Sequence, residues 1–229
     1  MNIQLLNKIA AVGLNQLDDS YNVGENIENP DGIMVRSAVM HEMEFAPSLK
    51  AIARAGAGVN NIPIERCSEN GIVVFNTPGA NANGVKELAI CALLLAARDV
   101  VGGIAWANGL TEDVAKQVEK GKSKFAGTEL MGKTLGVIGL GAIGGKIANT
   151  AIHLGMNVIG CDPFLSVDGA WNLNHRIQHA ATYDEVFEKS DYITLHVPAT
   201  KDTKNMICAE SIAKMKDGAK IIKIYKVGT

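Results

Sequence analysis

The chain has 229 residues, 47% of them hydrophobic, and a formal net charge of -2. That length allows about two domains, and scattered basic residues in a nearly neutral chain argue against a nucleic-acid partner. The four cysteines, Cys67, Cys91, Cys161 and Cys208, form no C-x-x-C pair, and the five histidines show no metal-ligand spacing. Reduced, mostly buried thiols in a cytoplasmic protein without a metal are therefore expected. No charged segment precedes an apolar core at the start, and the longest apolar run, Leu88 to Ala97, is cut by Arg98-Asp99 and is too short to span a bilayer.

In chain order, the segment Ile9 to Leu17 reads either as a helix or as a strand and turn. Asn29-Pro30-Asp31-Gly32 is a turn, and Gly32 to Val35 is a short strand with Arg36-Ser37 at its carboxyl end. A second strand lies within Leu49 to Arg54 and delivers the chain onto Ala55-Gly56-Ala57-Gly58-Val59-Asn60-Asn61. A small helix, Ile64 to Asn70, leads to a third strand, Ile72 to Phe75, and to the loop Asn76 to Asn83. Strands and loops at this short spacing predict parallel pairing, and ligands of parallel sheets sit beyond the carboxyl ends of the strands. Arg36 is either an anion clamp or a surface arginine. Residues 56–59 can aim backbone N–H groups at a carboxylate or simply turn the chain. Asn81 or Asn83 either caps the next helix or meets a ligand.

A long helix is predicted from about Val85 to Gly102, with an apolar stripe of Leu88, Cys91, Ala92, Leu95 and Ala96. Ala105 to Leu110 reads as a linker, Thr111-Glu112-Asp113 as the cap of a helix reaching Glu119, and Gly121 to Gly127 as a basic loop. Then comes Thr134 to Gly145: an apolar strand, a tight turn G-x-G-x-x-G, and a helix with Ile143, Ile147, Ala151 and Leu154 at helical spacing. Each glycine has its own task. Gly139 makes the turn, Gly141 lets the backbone approach a pyrophosphate, and Gly144 packs the helix on its strand. The second strand, Asn157 to Cys161, ends at Asp162, about twenty residues past the glycines, where an acid accepts from the ribose hydroxyls of NAD and repels the 2′-phosphate of NADP. Further on, Arg176 to His179 is a short strand and Asp184 to Ser190 a helix capped by Thr182. Tyr192 to His196 is a strand followed by Val197-Pro198, Ala209 to Met215 is a helix, and Lys220 to Tyr225 is a last strand.

Taken together, Val35-Arg36-Ser37, Arg54 to Ile62, Phe75 to Gly79, the glycine turn with Asp162-Pro163, Leu195-His196-Val197-Pro198 and Lys216 to Ala219 resemble the D-2-hydroxyacid dehydrogenase family, and within it the phosphoglycerate branch. The resemblance implies NAD-dependent oxidation of 3-phosphoglycerate to 3-phosphohydroxypyruvate in serine biosynthesis. It implies an α/β fold: a Rossmann-like doubly wound parallel sheet, incomplete at its C-terminal end, plus a smaller flavodoxin-like substrate domain. Residues 1–96 would form the substrate domain and 97–229 the NAD domain, with the active site between them. By the match, Arg36, Ser37, Gly56, Ala57, Gly58 and Val59 touch a small phosphorylated 2-hydroxy acid. Gly139, Gly141, Ala142, Ile143, Gly144 and Asp162 touch NAD, and His196, Val197, Pro198 and Thr203 line the cofactor cleft. The family forms homodimers through the nucleotide domain and the long helix. Lys226 stands at the family's catalytic arginine, and the family's Glu and His would follow Thr229. The alternative expectation is therefore a catalytically inactive NAD-binding fragment or remnant.

Overall fold

The computed structural model describes residues 1–198, 200 and 202–224. The chain divides into two compact units, Met1–Asn81 and Ala82–Thr229.

The first unit is built on five parallel strands: β1 (Asn2–Leu5), β2 (Asn22–Gly24), β3 (Gly32–Val35), β4 (Ala51–Arg54) and β5 (Val73–Asn76). Their order is β2-β1-β3-β4-β5, the flavodoxin-like order. Strands β3 to β5 match the sequence expectation. β1 and β2, which flank the short helix α1 (Ala11–Leu14), do not appear in it. Ile33, Val35, Ile52, Ile62, Ile72 and Cys67 of helix α2 (Ile64–Glu69) form the core of this unit.

The second unit starts with helix α3 (Ala82–Ala97). The division thus falls after Asn81, ahead of the division after residue 96 drawn from the sequence. The reason is packing: Ala89, Leu93 and Ala97 of α3 share one core with strand residues Leu135, Val137 and Val158. The expected stripe is also turned. Leu88 and Leu95 are 56% and 42% exposed, whereas Ala82, Ala89, Leu93 and Ala97 are buried. The helix stops before Asp99, whose carboxylate accepts from Gly102 N at 2.9 Å and caps a separate helix α4 (Val100–Asn108), where a linker was expected. Helix α5 (Val114–Gly121) and a 3₁₀ turn (Lys122–Phe125) follow.

A second parallel sheet then forms from β6 (Thr134–Ile138), β7 (Asn157–Cys161), β8 (Gln178–His179), β9 (Tyr192–Leu195) and β10 (Lys220–Ile222), in the order β10-β9-β6-β7-β8. Among the described residues these are the first five strands of the doubly wound Rossmann order. Helix α6 (Gly144–His153) buries Ile147 and Ala151 on one face with α3. Helices α7 (Val167–Trp171) and α8 (Tyr183–Lys189) follow β7 and β8, and Val186 and Phe187 of α8 cover Ile138, Ile159, Ile193 and Leu195 on the other face. Thr182 Oγ1 caps α8 by accepting from Glu185 N at 3.2 Å, as its sequence predicts. The short helix α9 (Ala209–Ile212) precedes β10. Among the described residues, no single helix is long and apolar enough to cross a membrane.

Candidate functional site

In the second sheet the chain reverses direction about β6, whose neighbours are β7 on one side and β9 on the other. A crevice at the carboxyl ends of strands on either side of such a point is where dinucleotides bind. The glycine turn leaves β6 there. Gly139 has φ +86°, and a Cβ on it would lie 2.7 Å from the His196 carbonyl oxygen, so both its conformation and its neighbour demand glycine. Gly141 has open space where a Cβ would stand. Gly144 opens α6, and a Cβ there would run into the carbonyl oxygen of Gly139. Ala142 is exposed and Ile143 half-buried against the α6 core. The turn at Gly139 and the close packing at Gly144 are thus as the sequence predicts, and Gly141 carries no neighbour within 4 Å of a Cβ position.

Asp162 stands at the end of β7 with both oxygens engaged. Oδ2 accepts from Leu140 N at 2.8 Å, inside the glycine turn, and Oδ1 accepts from Phe164 N at 2.9 Å. A carboxylate offers about four acceptor positions, so these bonds leave about two for ribose hydroxyls. The cradle therefore fits a dinucleotide: Ala142 and Ile143 N–H groups with no acceptor among the described residues at a helix start, no side chain on Gly141, and a carboxylate at the neighbouring strand end.

At the end of β9, His196 N donates to Ile138 O at 2.8 Å, and the ring Nε2 lies 2.8 Å from Thr194 Oγ1. Thr194 gives its own proton to Ile222 O at 3.1 Å. The hydroxyl must therefore accept from Nε2–H, which makes the imidazole the neutral Nε2–H tautomer. Burial pushes its pKa from 6.5 down to about 4. A group so weakly basic is a poor proton acceptor near neutral pH; its ring orients the Thr194 hydroxyl, and it is Thr194 that ties β9 to β10, while the ring Nδ1 is buried without a partner among the described residues. Val197 is half-buried and Pro198 exposed. Thr203 is buried, and its hydroxyl is spent inside the loop, donating to Pro198 O and accepting from Thr200 N at 2.8 Å.

In the first sheet the reversal lies between β1 and β3. Arg36 and Ser37 follow β3 and are exposed. Their backbone N–H groups, with that of Ala38, all donate to Asn7 Oδ1, at 2.9, 2.8 and 3.0 Å. Asn7 thus fills the anion-binding concavity of that loop and leaves only the Arg36 and Ser37 side chains for a ligand. The sequence reading passed over Asn7. The loop after β4 is different. Gly56 N donates back to Arg54 O at 2.9 Å, whereas Ala57, Gly58 and Val59 N–H have no acceptor among the described residues. Asn76, at the end of β5, steadies the loop by donating to Ala57 O at 2.6 Å. Lys226 lies outside the described residues.

Residues 95–225 match the model of the NAD-binding domain of the D-isomer specific 2-hydroxyacid dehydrogenases. The chain belongs to the D-2-hydroxyacid dehydrogenase family. Its second unit is the family's NAD-binding domain, as the glycine turn and Asp162 require. It is 39% identical over 207 residues to a D-3-phosphoglycerate dehydrogenase of Methanocaldococcus jannaschii, covering 89% of this chain and 38% of that protein. It is also 39% identical over 206 residues to a hydroxypyruvate reductase of Thermotoga maritima, covering 89% of this chain and 63% of that protein. Among solved structures, NAD+-bound 3-phosphoglycerate dehydrogenase of Entamoeba histolytica aligns with a TM-score of 0.74 at 30% identity, over 97% of this chain and 71% of that one. The chain thus spans 38% and 63% of the lengths of these two curated relatives.

Proposed function

We propose that this chain is a phosphoglycerate dehydrogenase-like oxidoreductase, taking NAD on its second unit and a phosphorylated 2-hydroxy acid, 3-phosphoglycerate, on the loops of its first. The observation that carries the reading is the pairing of the Gly139–Gly144 turn with Asp162 at the strand ends beside β6. When bound, NAD supplies a hydride acceptor. The chain's own residues do the rest. Asp162 fixes the ribose and disfavours the 2′-phosphate of NADP. Gly56 to Val59 offer N–H groups to the substrate carboxylate, and Arg36 with Ser37 holds its anionic far end. Lys226, which the resemblance sets at the position of the family's arginine, carries a positive charge but not the planar two-donor fork of a guanidinium. Residues 1–81 act as substrate domain and 82–229 as nucleotide domain, in the cytoplasm, with serine biosynthesis as the setting.

We also infer a homodimer. The second unit exposes Leu88, Leu94 and Leu95 of α3 and Val100, Val101 and Ile104 of α4, a run of apolar side chains of the kind that a partner covers.

The test is NADH formation from 3-phosphoglycerate, with D-glycerate and lactate for comparison. Turnover on 3-phosphoglycerate that is lost in Arg36→Gln and Lys226→Met supports the reading. Binding of both ligands without turnover would identify a non-catalytic NAD-binding chain, the reading to which a lysine at the arginine position lends weight.

A further inference from the structure

We propose that Asn7 is a positioning residue for the substrate: its side-chain oxygen sets the backbone of residues 36–38, and so the direction in which the Arg36 and Ser37 side chains meet a ligand at the carboxyl end of the first sheet. The inference rests on the 2-hydroxy-acid reading above and adds the residue that presents its substrate contacts.

Strand β1 runs beside β3 with Leu5 opposite Met34, and Leu6 N extends the ladder by donating to Met34 O at 3.0 Å. The next residue, Asn7, therefore arrives where β3 ends and the chain turns out through Arg36. The N–H groups of Arg36, Ser37 and Ala38 converge there on one atom, Asn7 Oδ1. Only an oxygen can receive them, so the amide has a single orientation. A carbonyl oxygen offers two lone pairs, and a third donor adds little energy. Arg36 and Ser37 are exposed, so water can satisfy their N–H groups, and burial does not require this side chain. What the arrangement fixes is geometry. Three amide vectors aimed at one point constrain the backbone of Arg36 and Ser37. Asn61 holds the same loop from its other side: Nδ2 donates to Ala38 O at 2.8 Å, and the Asn61 carbonyl accepts from Met40 N at 2.8 Å. Asn61 is itself buried and closes the loop that carries residues 56–59, so the two substrate loops are linked through one amide. Converging N–H groups left open would take an anion on the backbone. Asn7 fills that place with a neutral oxygen, and the substrate's anionic end is left to the side chains.

The experiment is calorimetric titration of the NAD-saturated chain with 3-phosphoglycerate, for the intact protein and for Asn7→Ala, Asn7→Gln and Asn7→Asp. Amide exchange across β3 to β5 reports that the first unit of each variant is folded, and NAD affinity reports the same of the second. Asn7→Ala removes the acceptor, and Asn7→Gln carries it one methylene too far. In both, affinity for 3-phosphoglycerate falls about 10-fold, while NAD affinity changes less than about 3-fold. Asn7→Asp keeps an oxygen within reach of the three N–H groups and recovers affinity to within about 3-fold of the parent, in about 0.15 M salt to screen the added charge. A role in stability alone would lower the urea midpoint of Asn7→Ala and leave 3-phosphoglycerate affinity of the folded protein unchanged, and that result would overturn the proposal. If Asn7→Ala does not fold, Asn7→Gln and Asn7→Asp decide, and equal affinity in those two would overturn it as well. A parent chain that binds NAD but not 3-phosphoglycerate would overturn the 2-hydroxy-acid reading, and this role with it.

Discussion

Replacing Asp162 by alanine separates two things its carboxylate does. Toward the protein, it accepts from Leu140 N at 2.8 Å and Phe164 N at 2.9 Å, bracing the glycine turn against the end of β7. Toward NAD, the remaining acceptor positions take ribose hydroxyls. Hydrogen bonds to a charged group contribute about 1.5–3 kcal/mol each. Asp162 is half-buried, and water competes for both of its bonds, so the lower end of that range applies to each. Asp162→Ala is then expected to lower fold stability by about 3 kcal/mol and to weaken NAD by about 1.5–3 kcal/mol, roughly 10- to 150-fold. Affinity for NADP should fall less, because the repulsion of the 2′-phosphate is removed with the charge. Asp162→Asn keeps one acceptor oxygen and no charge, so it should recover part of the stability while still losing discrimination between NAD and NADP. Urea unfolding gives the first quantity and calorimetry with both dinucleotides gives the second. Equal affinity of the parent chain for NAD and NADP, or an alanine variant that binds NAD as the parent does, would refute the assignment. Unchanged stability would refute the brace.

The two inner glycines should part company. Gly141→Val meets open space and should leave the unfolding midpoint nearly unchanged while abolishing measurable NAD binding, whereas Gly144→Ala drives a Cβ into the Gly139 carbonyl and should lose stability by about 1–3 kcal/mol as well as binding. His196 makes stability pH-dependent. Because burial lowers its pKa from 6.5 to about 4, the unfolded chain binds a proton in that window that the folded chain does not. Stability is therefore full above the unfolded value and falls as pH drops through the window, by up to about 1.4 kcal/mol per pH unit and about 3 kcal/mol in all. Urea unfolding across that range should show the slope in the parent chain and a shallower one in His196→Gln, and identical slopes would count against the assignment. Leu94→Glu with Val101→Glu should convert a dimer into a monomer in sedimentation equilibrium, and a parent chain that is monomeric at micromolar concentration would contradict the proposed dimer.

Much of this fold can be read before any coordinates, because its strands are short, apolar and punctuated by turns. β3 and β7 lie where the apolar runs Gly32–Val35 and Asn157–Cys161 put them. Local sequence misleads where pairing or packing outweighs it. β1 and β2 contain Asn2, Gln4, Asn22 and Gly24, all weak strand formers, and are extended because Ile3 pairs with both Val23 and Gly32. Helix α3 is apolar nearly all round, so periodicity cannot choose its buried face. The core takes Ala82, Ala89, Leu93 and Ala97 and leaves Leu88, Leu94 and Leu95 largely outside. For the nucleotide loop, the glycine spacing and the following acid are local signals, and sequence suffices. On the first unit it does not. Asn7 meets residues 36–38 only through the β1–β3 pairing.

The central claim is that the strand ends beside β6 hold NAD and those of the first sheet hold a phosphorylated 2-hydroxy acid. The most direct measurement is a calorimetric titration of the intact chain with NAD, followed by 3-phosphoglycerate added to the NAD-saturated protein. The account predicts saturable binding at both steps, with NADP weaker than NAD in the first and D-glycerate weaker than 3-phosphoglycerate in the second. No saturable NAD binding, or an NAD complex that takes glycerate as tightly as 3-phosphoglycerate, would contradict it.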